Sequence, residues 1–444
     1  MSAYQPPRHR RFPLLALAAA WVATRALMLW LLAHDDIAPL GNGAVSREVS
    51  HLYFRWYGVL SHGAFPAGDR LWQYPPGAGP MLLSPALLPS LTYVQAFVTL
   101  TLVADAVIAL ALARAGTRPG RSPRGAVLWT LGLPLLLHIP LARYDVQVTA
   151  FAVISLLTLT RSTRACGAFA ALGALVKVWP ALTLLGAPRG RTTREAWTSA
   201  AVTAAGLLAV LTAAFGNPLD FLRQQGGRGV QIESLGGTVL GFARHAGWPG
   251  RVRYQYGAME FVGPYVPAVA AVSLALTVAA FGLLLLWRAR ARRWTPSTPY
   301  DAALTAVLLF TVTSRVISPQ YMVWLLGLSA VCLTSRHTTQ RPVAALIVAA
   351  TAVGSVAYPG LYGEVVHSTW TGCLLMLVRN GLLATAALLS FSRLWRSGLP
   401  VPDAPATGTA ATGVPVTDVP VTGVPVTGGV KSTVLRRSRT ELIP

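Results

Sequence analysis

Gly173-Ala174-Leu175-Val176-Lys177-Val178-Trp179-Pro180 puts a lysine and a proline in the middle of one apolar run, 166–187. Without interruption, a run of that length reads as a single membrane helix. Proline removes a helix hydrogen bond and clashes with the turn before it. We therefore read 166–187 as two short helices around a break near Lys177. Broken backbone at membrane depth is tolerated only against protein or a water-filled cavity, so the break implies a cavity with a cation beside it. A lone cation at the bilayer centre costs at least about 2.5–3.5 kcal/mol, and a visiting anion offsets that cost. Lysine is rare here: Lys177 and Lys431 are the two lysines among 37 basic residues.

The surrounding chain has a membrane composition. Of its 444 residues, 53% are hydrophobic and 12% charged, with mean hydropathy +0.52; soluble domains carry about 25% charged residues. Candidate spans are 12–33, 94–114, 125–138, 146–160, the broken 166–187, 196–214, 265–287, 300–313, 321–334, 342–357 and 370–392. The first is too long for a signal peptide and lacks a small-residue cleavage site. The net charge of +22 is spread over short loops rather than gathered on one face, which argues against nucleic acid as a partner. Cytoplasmic loops collect arginine. The N-terminal Arg8, Arg10 and Arg11, and the clusters at 114–124, 161–164, 189–194, 288–293 and 336–341, all fall on the cytoplasmic side if 166–187 enters and leaves on one side. The expected fold is all-α, a polytopic transmembrane helical bundle of about 10–12 membrane helices.

Three regions follow: a basic cytoplasmic N-terminus 1–11, a membrane body 12–396, and a cytoplasmic tail 397–444. The tail repeats Val-Pro-Val-Thr over 401–429, cannot bury a core and should be disordered; its Arg436, Arg437 and Arg439 suit contact with anionic membrane lipids. The outer loops 34–78 and 215–264 are long, whereas 139–145, 314–320 and 358–369 are short. Because the cytoplasmic loops are short and basic, chemistry is expected on the extracytoplasmic face of a multi-pass plasma-membrane protein with both termini inside.

Loop 34–78 carries the carboxylates Glu48 and Asp69 among Tyr53, Trp72 and Tyr74. A carboxylate within hydrogen-bond reach of a hydroxyl can act as its base, and aromatic rings suit the C–H faces of sugars. Arg143 and Asp145 stand at a helix mouth, either paired with each other or in a site. Arg315, Gln320 and Tyr321 occupy another mouth. Arginine forks match phosphate oxygens and lysine adds a point charge, so Lys177, Arg143 and Arg315 together suit a phosphate. The alternative for Lys177 is a carboxylate partner such as Asp145. Arg228, Gln231 and Glu233 form a wall or lid. Asp105, inside a span, is expected to pair with Arg25 or a backbone group. Cys166, Cys332 and Cys373 lack CxxC spacing and read as buried thiols. There is no P-loop, GxGxxG or DxD motif and no cluster with metal-ligand spacing, so no metal or other cofactor is expected.

At these motifs the chain resembles glycosyltransferase family 87, multi-pass enzymes of the GT-C class, over about 12–392. The resemblance rests on Trp72-Gln73-Tyr74-Pro75-Pro76-Gly77-Ala78, Ala142-Arg143-Tyr144-Asp145-Val146, Ala174-Leu175-Val176-Lys177-Val178-Trp179-Pro180, Arg228-Gly229-Val230-Gln231-Ile232-Glu233-Ser234-Leu235 and Ser314-Arg315-Val316-Ile317-Ser318-Pro319-Gln320-Tyr321 in that order. It implies transfer of mannose or a similar hexose from a polyprenyl-phosphate-linked sugar donor to a glycolipid or polysaccharide acceptor. It also implies an aspartate base in the first outer loop. That position aligns with Glu48 here, and Asp69 and Asp145 are the other candidate carboxylates. Where other members carry a histidine after the Ser-Pro pair, this chain has Gln320-Tyr321. Tyr53, Trp72, Tyr74, Gln320, Tyr321, Arg228 and Glu233 would hold sugar or lipid. The rival expectation is a lipid-glycan transporter or flippase, which also uses broken helices, although no second broken helix matches the first.

Overall fold

The helix expected over 166–187 does break at Lys177. Thr163–Val176 is helical, Lys177 is extended (φ −147°, ψ 131°), and Trp179–Gly186 continues as a 3-10 helix with Pro180 in its first turn. Ser162 caps the start by accepting from Ala165 N–H at 3.1 Å. Gly173 permits the fold-back, because a Cβ there would lie 2.9 Å from the Pro180 ring. The break leaves the last carbonyls of the first helix without intrahelical partners. One of them, Leu175 C=O, accepts from Gly77 N–H at 2.8 Å. The Trp72–Ala78 segment thus caps the broken helix from outside.

The structure is a computed structural model that describes residues 11–399 apart from 38, 39, 41, 42, 67, 216–218, 220 and 223–227. The N-terminal arm 1–10 and the tail beyond 399, including the expected disorder, lie outside the described residues. The fold is an all-α polytopic membrane bundle. Among the described residues six helices are long and apolar enough to cross a membrane: Leu14–Ala33, Tyr93–Gly116, Arg191–Phe215, Val266–Arg290, Arg341–Gly360 and Trp370–Ser397. Ala78–Leu87, Arg124–Leu136, Asp145–Thr158, Thr163–Val176 and Tyr321–Leu333 are shorter apolar helices. At 1.5 Å per residue, a helix such as Thr163–Val176 extends about 21 Å, short of a hydrocarbon core of about 30 Å. Thr298–Thr313 and Tyr321–Leu333 are buried along nearly their whole length, which explains why they are apolar all round.

Polar residues join the helices where the sequence anticipated it. Arg25 forks onto Asp105 at 2.7 and 2.8 Å, and Trp129 Nε1 donates to the same carboxylate at 2.7 Å. This cluster is buried and ties three helices together. The two ends of the bundle differ. At one end, loops assigned to the cytoplasm meet: Ser122 N–H donates to Thr334 C=O at 3.0 Å, Arg336 to Arg121 C=O at 3.2 Å and Arg393 to Thr339 C=O at 3.1 Å. The opposite end carries the loops assigned to the extracytoplasmic side. They include one departure from pure helix, an antiparallel sheet in the order β1 (Val230–Gln231), β3 (Ala258–Val262), β2 (Arg251–Gln255).

Candidate active site

A cavity of about 500 Å³ opens among the loops assigned to the extracytoplasmic side, within the range of about 300–1,000 Å³ usual for ligand sites. Loop 34–78 contributes Glu48 and Tyr74, loop 139–145 Arg143, the helix break Lys177, loop 215–264 Arg228 and Glu233, and loop 314–320 Gln320, with Tyr321 just beyond it. Five loops assigned to one side from arginine counts alone therefore share one pocket, loop 358–369 adding Tyr362 and Tyr358.

Glu48 opens a π-helical turn, Glu48–Tyr53, between two α-helical pieces. Such wide turns recur at functional sites. Its carboxylate is 23% exposed and stands 3.7 Å from the Arg143 guanidinium. Arg143 follows a 3-10 turn, Ile139–Ala142, in extended conformation. It is itself held by donation to Ala142 C=O at 2.8 Å and Val45 C=O at 3.3 Å. Of the two alternatives for Arg143 and Asp145, the local pair is not formed: extended Arg143 turns to Glu48, while Asp145 begins the next helix and faces Lys177.

Lys177 Nζ lies 2.6 Å from Asp145 Oδ1, which also accepts from Trp324 Nε1 at 2.6 Å. The ammonium sits over Tyr144 (4.8 Å), Trp324 (5.3 Å) and Tyr74 (5.9 Å), at distances that favour a cation over a ring face. Lys177 thus faces the cavity with a carboxylate behind it. Asp145 Oδ2 is buried with no hydrogen-bond partner among the described residues. Trp324 stacks on Tyr321 at 3.9 Å and on Trp179 at 5.2 Å, giving the cavity an aromatic wall.

Other expected site residues lie elsewhere. Asp69 pairs with the exposed Arg55, accepts from Trp56 Nε1 at 3.0 Å and caps Leu71 N–H at 2.9 Å, outside the cavity lining. Tyr53 and Trp72 are buried in the aromatic packing under the loop and do not line the cavity. Arg315 lines an adjoining pocket between Val266–Arg290 and Thr298–Thr313, and Arg228 borders both pockets. Burial and the nearby Arg228 guanidinium push the Arg315 pKa down. Arg228 is fixed by Glu260 of β3 at 3.2 Å.

Glu233 is 2% exposed, and burial pushes its pKa up to about 7 against the opposing pull of Arg379. Arg379 and Asn380 had no place in the sequence reading. Their signal was present, since a charged residue inside a span, here 370–392, marks a functional or packing site. Trp324, Tyr358 and Tyr362 were missed because an aromatic residue near a membrane surface is common in any such protein. Among the described residues no group of three or more His, Cys, Asp or Glu is placed to hold a metal ion, and the three cysteines are buried and free.

The family model for glycosyltransferase family 87 matches residues 72–319, more than half of the chain. No curated protein matches it. The matched segment contains Arg143, Asp145, Lys177, Arg228, Glu233 and Arg315, and stops short of Glu48 on one side and Gln320 on the other. It also separates the chain from the transporter alternative. With its helical membrane bundle and shared polar cavity, the chain belongs to glycosyltransferase family 87 and is a membrane glycosyltransferase.

Proposed function

We propose that this glycosyltransferase moves a hexose, mannose or a close epimer, from a polyprenyl-phosphate donor to a hydroxyl of a glycolipid or polysaccharide on the extracytoplasmic face, with inversion. The observation that carries this reading is that the Glu48 carboxylate shares a single cavity with Arg143, Lys177 and Arg228. Glu48 takes the acceptor proton as the acceptor oxygen attacks the anomeric carbon. The bond from that carbon to the phosphate oxygen breaks, and its electron pair leaves with the phosphate, which gains one negative charge. Preorganised cations aimed at developing charge are often the largest catalytic contribution. Arg143 and Arg228 supply such charge directly. Lys177 supplies it to the extent that the phosphate competes with Asp145, and Arg315 borders the adjoining pocket where the lipid phosphate would approach Arg228.

A lipid-linked donor arrives from the bilayer and requires no nucleotide-binding fold. The longer glutamate at the position aligned with the family's aspartate reaches the cavity from a π-helical turn. Glu48→Gln is expected to lower transfer by about 10²–10⁴-fold, the usual share of a general base, at unchanged protein level. The assay incubates purified protein with radiolabelled polyprenyl-phosphate mannose and a membrane extract. Full activity of the variant would remove Glu48 from the role.

A further inference from the structure

The cavity has a second polar wall that the transfer step leaves unused. Gln231 and Glu233 line it, 3% and 2% exposed. The Gln231 amide donates to Glu233 Oε2 at 3.3 Å and to Ser318 Oγ at 3.5 Å, while its Oε1 is buried with no partner among the described residues. Among the described residues each Glu233 oxygen has one hydrogen bond, Oε2 from Gln231 and Oε1 from Arg379 Nη1 at 3.4 Å. A carboxylate offers about two acceptor sites per oxygen, so capacity remains on both. This wall is rich in acceptors while its donors are engaged within it. Buried polar atoms are rarely left unpaired, which points to a ligand that brings donors. Phosphate brings acceptors and a prenyl chain brings neither; sugar hydroxyls bring donors.

The wall is also held rigidly. Arg379 Nη2 donates to Glu233 C=O at 2.5 Å. Asn380 Nδ2 reaches Glu233 C=O at 3.1 Å, Ser234 C=O at 3.3 Å and Thr238 Oγ1 at 2.8 Å. Gln231 N–H donates to Arg315 C=O at 3.0 Å, which joins the wall to the 314–320 loop. The clamp comes from Trp370–Ser397, beyond the segment that the family model matches.

We propose that Gln231 and Glu233 select the transferred sugar by accepting hydrogen bonds from two of its neighbouring hydroxyls, with Arg379 and Asn380 as positioning residues. This rests on the hexosyl-transfer reading above. A site built to hydrogen-bond a substrate hydroxyl discriminates strongly against an analogue that lacks it, because the buried acceptor is left unpaired.

The test measures binding, so that it does not depend on turnover. Quenching of tryptophan fluorescence in the purified full chain is followed with hexose 1-phosphates and their mono-deoxy analogues. In the wild type, loss of one or two particular hydroxyls is expected to weaken binding about 10-fold or more. In Gln231→Leu and Glu233→Gln those penalties should shrink to about twofold, while penalties at other positions persist. Arg379→Ala should reproduce that pattern and Arg379→Lys restore part of it, which a merely structural role would not do. Penalties that are unchanged in the variants, or absent from the wild type, overturn the proposal. A chain that shows the pattern with hexose 1-phosphates but transfers no polyprenyl-phosphate hexose upholds it and refutes the donor. Transfer with an unaltered deoxy pattern does the reverse.

Discussion

At Lys177 and Asp145 the proposed catalytic role can be separated from a structural one. Asp145 is 1% exposed and its two charged or polar donors are Lys177 and Trp324. Removing one partner of a buried ion pair typically costs about 3–5 kcal/mol, because the other charge stays buried without compensation. Lys177→Ala alone should therefore destabilise the protein by about 3 kcal/mol, which by itself would lower activity. The double variant Lys177→Met with Asp145→Asn removes both charges and keeps an acceptor for Trp324. It is expected to recover most of the melting temperature in detergent while transfer stays low. Recovery of transfer along with stability would make the pair purely structural.

Among the elements, the contact between the Trp72–Ala78 loop and the broken helix is the one on which the cavity depends. Gly77 approaches so closely that a Cβ would lie 2.6 Å from the Leu175 carbonyl oxygen, a backbone atom that cannot swing away. Gly77→Ala is expected to push the loop off the helix end, lose the Gly77 to Leu175 hydrogen bond and cost about 1–3 kcal/mol, moving Tyr74 relative to Lys177. Donor affinity should fall with it. Gly58→Ala, where a Cβ meets nothing within 4 Å, serves as the control and should match the wild type. The break itself was legible in the sequence because proline and a lone lysine within an apolar run are local signals. The capping of its exposed carbonyl was not, because the donor lies about a hundred residues earlier in the chain.

For the molecule as a whole, the arginine-based topology sorts the loops into two sets, and the structure gathers each set at its own end of the bundle. Orientation in the membrane can be tested by single-cysteine labelling, with little background from the three buried native thiols. Arg251→Cys on exposed β2 should react with a membrane-impermeant maleimide in intact cells. The exposed Arg290→Cys should react only after permeabilisation. The reverse pattern would turn the topology over and move the site to the cytoplasm.

Composition and apolar run length were enough to read a polytopic helical bundle, the break at Lys177 and the loops that line the cavity. The bilayer acts on each segment separately, so those properties are written locally. The pairing of charges was not written locally. That Arg143 serves Glu48 and Lys177 faces Asp145, that Asp69, Tyr53 and Trp72 support the loop from outside the cavity, and that Arg379 clamps Glu233 all depend on which helices pack together. An ion pair is set by distances of a few ångströms between segments as much as 146 residues apart, and only the packed bundle brings them within reach.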